Sequence, residues 1–110
     1  MDDYLWQTGL TRSLYQKIVS LAYEMTKLPL LEQMTSLGIH EIKVRTNMTA
    51  LGISLTRNGI IKIKHKGDLM TLGHEIAHFI PCIQEMHGGV DETACELFGE
   101  LWTRAMKDRI

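Results

Sequence analysis

The sequence predicts an α+β domain, and three observations carry that prediction. Apolar residues recur at helical spacing towards both ends, they alternate with period two in the middle, and Gly, Pro and Asn stand at the joins. The chain has 110 residues, 45% of them hydrophobic. That is the size of a single domain, 1–110, with one core and room for one site.

The elements follow in order. Leu14, Ile18, Leu21, Ala22, Met25 and Leu28 fall three and four apart, which predicts a helix from about Thr11 to Lys27, ended by Pro29. Leu30 to Leu37 adds a short helix closed by Gly38. Ile42 and Val44, Ile53 and Leu55, and Ile61 and Ile63 each alternate with polar neighbours, giving three short strands with His40 and His65 on them. Asn58-Gly59 is a hairpin signal, so the expected sheet is a largely antiparallel meander. Leu69, Leu72, Ile76, Phe79 and Ile80 then form one helical face, with Asp68 as N-cap and Pro81 as the stop. After a His87-Gly88-Gly89 loop, the last helix is expected from Asp91 as N-cap to about Lys107, burying Ala94, Leu97, Phe98, Leu101, Trp102 and Ala105.

Charge and composition narrow the function classes. A net charge of -1 with mixed signs offers no footprint for nucleic acid. The apolar runs are short and the start Met1-Asp2-Asp3-Tyr4 is acidic, so neither a membrane span nor a secretory leader is expected and the predicted location is cytoplasmic. Cys82 and Cys95 lack C-x-x-C spacing and are expected as reduced, partly buried thiols. Apolar Leu, Met and Trp side chains near both ends leave a homo-oligomer open.

The chemistry lies in His74-Glu75-Ile76-Ala77-His78. Residues i and i+4 stand one above the other on a helix, so both imidazoles reach one ion. Glu75 is rotated by roughly 100° from His74, beside such an ion without ligating it. It is then placed as general base towards a water that the ion activates. This is the H-E-x-x-H signature of zinc peptidases, and it implies one Zn²⁺ ion.

A catalytic zinc needs a third protein ligand. Glu92, in the first turn of the last helix, is the first candidate, and Glu96 one turn on is placed to accept the second N–H of a ligating histidine. Both also belong to a Glu92, Glu96, Glu100, Arg104 stripe of the kind an ordinary solvated helix face carries. His87 is the rival ligand, although its distance from His78 does not fit the metzincin pattern. Otherwise it either donates to a developing oxyanion or is an exposed loop histidine.

His74 to His78 followed by Glu92-x-x-x-Glu96-x-Phe98-Gly99 resembles the gluzincin pattern, with Glu96 where that pattern has Asp or Asn. Length and order are similar to the minigluzincins, small zincins reduced to the upper half of a thermolysin-like domain, and the motif helix is also similar to repressor-cleaving H-E-x-x-H peptidases. The resemblance covers roughly Thr49 to Trp102. It implies a zincin-like domain that hydrolyses peptide bonds in a peptide or protein substrate, with His74, His78 and Glu92 on zinc, Glu75 as base and acid, and Glu96 behind a histidine. It further implies that the segment from Ala50 to Thr56, with Ala50, Leu51, Gly52 and Ile53 foremost, pairs with extended substrate. The missing lower half implies slow or narrowly directed cleavage. The stretch from Trp102 to Ile110 either lies in the cleft and holds the enzyme latent or simply completes the last helix. The other reading is a zinc-bearing regulatory or interaction module with little turnover.

Overall fold

The computed structural model describes residues 10–109. Helix α1 (Arg12–Thr26) opens on Thr11, whose side chain accepts from the Leu14 N–H. It buries Ile18 and Ala22, and Leu14, Leu21 and Met25 pack at the rim of the core. Helix α2 (Leu30–Ser36) follows Pro29, and Gly38 at φ +74° turns the chain out of it.

Strands β1 (Glu41–Val44), β2 (Gly52–Leu55) and β3 (Ile60–Ile63) form one sheet in the order β1-β3-β2. β2 and β3 are antiparallel, with Gly52 opposite Ile63 and Leu55 opposite Ile60. β1 runs parallel to β3, with Glu41 opposite Ile60. The sheet is therefore mixed, not the expected meander. Burial supplies the reason. Ile61 and Ile63 are 0% and 5% exposed, so the most apolar strand takes the centre, while the half-exposed β1 and β2 flank it. The segment between β1 and β2 bridges the end of β3, where the Arg45 N–H donates to the Ile63 carbonyl and the Lys64 N–H to that of Leu51.

The hairpin also differs from a two-residue Asn-Gly turn. Its loop is Thr56 to Gly59, and only Gly59, at φ +69°, takes a positive φ. His40 and His65 flank β1 and β3 and do not lie on them.

Helix α3 (Leu69–Ala77) is capped by the Asp68 side chain, which accepts from the Thr71 N–H, and it ends at His78. Phe79 and Ile80 are buried beyond its end. Pro81 does not merely stop this helix; it occupies the first turn of a short helix α4 (Pro81–Gln84). Proline lacks the N–H that a first turn leaves unpaired, and it pushes Ile80 out of the helical region. Helix α5 (Val90–Met106) begins after Gly89, at φ +85°, so Asp91 is not the cap but lies inside the first turn with Glu92. Acidic side chains there complement the helix N-terminus.

The core lies where α1 and α3 pack against α5. Trp102 and Phe98 are fully buried in it, whereas Ala105 is exposed and Met106 fills the position expected of it. Gln33 is buried with them. Its Oε1 accepts from Trp102 Nε1 at 2.8 Å, and its Nε2 donates to the Leu28 carbonyl at 2.9 Å. Trp102 to Met106 complete α5, Ile110 lies outside the described residues, and the Arg109 guanidinium donates to the carbonyls of Thr26 and Leu28, at and just past the end of α1. No helix among the described residues is long and apolar enough to cross a membrane.

Candidate metal centre

Two glycines set the approach of α3 and α5. A Cβ on Gly73 would lie 3.0 Å from Gly99 Cα, and one on Gly99 would lie 2.9 Å from the His74 backbone nitrogen. The helices thus touch backbone to backbone one residue from His74. Glu92 lies seven residues before Gly99, two turns away on the same face of α5, which carries it over the imidazoles.

The four side chains meet there. His74 Nε2 stands 3.0 Å from Oε2 of Glu92, and His78 Nε2 stands 3.2 Å from Oε1 of the same carboxylate. Bonds of about 2.0–2.1 Å in a tetrahedral shell set neighbouring donor atoms about 3.3 Å apart, so each imidazole stands from its own oxygen of Glu92 at about the separation that two ligands of one ion have. On its other side, His74 Nδ1 lies 2.5 Å from Oε1 of Glu96 but out of line, so this buried nitrogen makes no hydrogen bond. A proton on Nδ1 held by Glu96 leaves the Nε2 lone pair for a cation.

Other donors border the same place. Asp91 joins His78 and Glu92 within 4.8 Å, and so does the Cys95 sulfur with His74 and His78. Burial first, and then the carboxylates of Glu92, Asp91, Glu75 and Glu96, push the Cys95 thiol well above its ordinary range. Cys95 is therefore a neutral, packed group in the metal-free protein. Glu92 presents its oxygens from the open side, with its side chain 60% exposed. A donor set of two imidazoles and one carboxylate, with solvent on the open side, suits zinc with a free coordination position.

A cleft of about 1000 Å³ opens beside these groups, between β2 and α3. Leu51, Gly52, Ile53 and Ser54 form one wall, and His74, Glu75, His78, Glu92 and Glu96 form the other. β2 is a sheet edge, so its outer backbone groups face away from β3. Ala50 precedes the strand and does not line the cleft. Glu75 is 8% exposed, and its Oε1 accepts from the Ser54 hydroxyl at 2.7 Å.

His87 is exposed on the loop before α5 and lies outside the cleft lining. No described residue after Glu96 lines the cleft either. Met106 lies fourteen residues beyond Glu92, about 21 Å along the helix, and Arg109 is tied to α1. Ser54 and Thr56 line the cleft within the edge segment expected from the sequence, whereas Met70, Thr71 and Gln84 line it as well and were not expected there. For Ser54 a signal existed, since positions 52 and 54 share one face of a strand. For Gln84, whose amide donates to the His78 carbonyl at 2.9 Å, no local pattern pointed to the site. Comparison with protein-family models, curated proteins and solved structures returns no match to this chain.

Proposed function

We propose that this chain is a small zinc-dependent endopeptidase. The observation that carries the reading is the convergence of both Nε2 atoms on the Glu92 carboxylate, with Glu75 one position along the same helix at the floor of an open cleft. Zinc, when bound, supplies Lewis acidity to a peptide carbonyl and acidifies a neighbouring water.

The chain's own residues do the rest. His74, His78 and Glu92 would hold the ion, and Glu96, beside His74 Nδ1, would fix that ring once hydrogen-bonded to it. Glu75 takes the proton of the attacking water and returns it to the departing amine. The free edge of β2 offers main-chain hydrogen bonds to an extended peptide, a mode that favours affinity over sequence preference. Two unpaired cysteines fit a reducing compartment, and a cytoplasmic location goes with this reading.

A second reading is a zinc-bearing interaction module that also associates with itself or a partner. It is favoured by Leu51 and Ile53, 57% and 38% exposed at the mouth of the cleft. Metal analysis and a peptide library separate the two. The expected result is one zinc per chain, cleavage by the native protein, and cleavage abolished with zinc retained in Glu75→Gln. Zinc without cleavage by the native protein supports the module. Glu92→Ala is expected to lose zinc and His87→Ala to keep it; the reverse pattern removes the assignment of Glu92.

A further inference from the structure

We propose that Ser54 is a positioning residue for Glu75, and that Gly52, two residues earlier on the same face of β2, leaves the space this requires. The proposal rests on the peptidase reading for its catalytic consequence but not for its geometry. The Ser54 Oγ stands 2.7 Å from Glu75 Oε1 and 2.8 Å from the Glu75 backbone carbonyl. One side chain on the sheet edge thereby grips both ends of one glutamate. Opposite it, a Cβ on Gly52 would come within 2.9 Å of Glu75 Cγ, 3.0 Å of Oε2 and 2.6 Å of Thr71 Cγ2. The bare backbone at Gly52 therefore keeps Oε2 unobstructed. Among the described residues Oε2 makes no hydrogen bond, and it is not sealed from solvent.

The hydroxyl carries one hydrogen and faces two acceptors, so it cannot donate to both. With Glu75 charged, the hydrogen points at Oε1 and holds the carboxylate. Once Glu75 has taken a proton from water on the open Oε2, Oε1 is still an acceptor, so the Ser54 hydroxyl keeps donating there or turns its hydrogen to the backbone carbonyl. Ser54 keeps its own proton throughout, and the single transferred proton passes from water to Glu75 and on to the leaving amine. Glu75 thus meets a partner in both states without moving, which is what a base that later acts as an acid requires.

The test uses Ser54→Ala, Ser54→Thr and Gly52→Ala in the full chain. In the metal-free protein at fixed pH, the ¹³C resonance of the Glu75 carboxyl, assigned by its loss in Glu75→Gln, is expected to move in Ser54→Ala and to stay near its native position in Ser54→Thr. In zinc-loaded protein, Ser54→Ala is expected to lower kcat by about tenfold to a hundredfold, the worth of a hydrogen bond to a charged group. KM and zinc content stay unchanged, and Ser54→Thr recovers most of the loss. Gly52→Ala is expected to lower kcat in the same way. A Glu75 resonance unmoved in Ser54→Ala overturns the proposal whatever the peptide assay gives, as does a kcat loss that Ser54→Thr shares in full. If the native protein cleaves nothing, the peptidase reading falls, and the resonance still decides whether Ser54 holds Glu75.

Discussion

Replacing Gly99 with Ala is the most direct perturbation of the helix contact that brings the proposed zinc ligands together. The added methyl would stand 2.9 Å from the His74 backbone nitrogen, 3.2 Å from His74 Cα and 3.3 Å from the Gly73 carbonyl carbon. All three are backbone atoms, so no flexible side chain can give way. Restoring ordinary contact, near 3.4 Å, separates α3 from α5 by about 0.5 Å at this point. Metal–ligand distances tolerate only about 0.2 Å, and Glu92 and Glu96 ride on the helix being displaced. Overpacking costs about 1–3 kcal/mol, but Ala gains about 1 kcal/mol over Gly in a helix interior. The net stability loss is then only about 0–2 kcal/mol, too small to discriminate by itself. Zinc affinity is the sharper readout. Competition against a chromophoric chelator is expected to show Gly99→Ala binding zinc about tenfold or more weakly than the native protein, while circular dichroism shows it folded. Native zinc affinity in the folded variant would refute the reasoning, because the helix contact would then not govern the ligands.

Further outcomes follow from the same structure. Trp102→Phe strands the buried Gln33 Oε1 and is expected to cost about 1–3 kcal/mol in urea unfolding, with Gln33→Met in the same chain recovering part of it; a loss under about 0.3 kcal/mol would show that Oε1 finds another donor. Truncation after Lys107 removes the Arg109 contacts with α1, and the expected effect is a small stability loss of at most about 1 kcal/mol with no gain in cleavage; a severalfold rise in cleavage would mean that the tail reaches the cleft. A thiol reagent is expected to label the half-buried Cys82 in the folded, metal-free protein and Cys95 only on unfolding; equal rates would contradict the packing of Cys95. Folding raises the pKa of Cys95, so its neutral form contributes fully below the unfolded thiol's value, about 8.5, and that contribution declines as pH rises above it. Urea midpoints at about pH 8 and about pH 10 are expected to differ less in Cys95→Ala than in the native protein.

Local physics made much of this protein legible in its sequence. The capped helix after Thr11, the hairpin around Gly59, and the helix that begins after Asp68 each follow from residues within a few positions of one another. His74, Glu75 and His78 belong to the same class, because a four-residue step along one helix requires no knowledge of the rest of the fold. Neighbours in sequence could not say which strand lies in the middle, since that depends on the combined burial of all three. With Ile61 and Ile63 taking the centre, β1 pairs with the edge of β3 that β2 leaves open, and it does so in parallel.

The tertiary structure likewise decided what surrounds the histidines. In the sequence Glu92 was both the first candidate ligand and a member of a solvated stripe, and the Gly73–Gly99 contact is what carries its carboxylate over both imidazoles. Ser54 was one polar residue in a short strand until the sheet edge set its hydroxyl on Glu75. The sequence by itself therefore determined which chemical groups the site contains, because helical periodicity is a property of the backbone alone. Only the packing of α5 and β2 against α3 decided which of the many carboxylates and hydroxyls join them, because those contacts connect residues distant in the chain through close backbone approach.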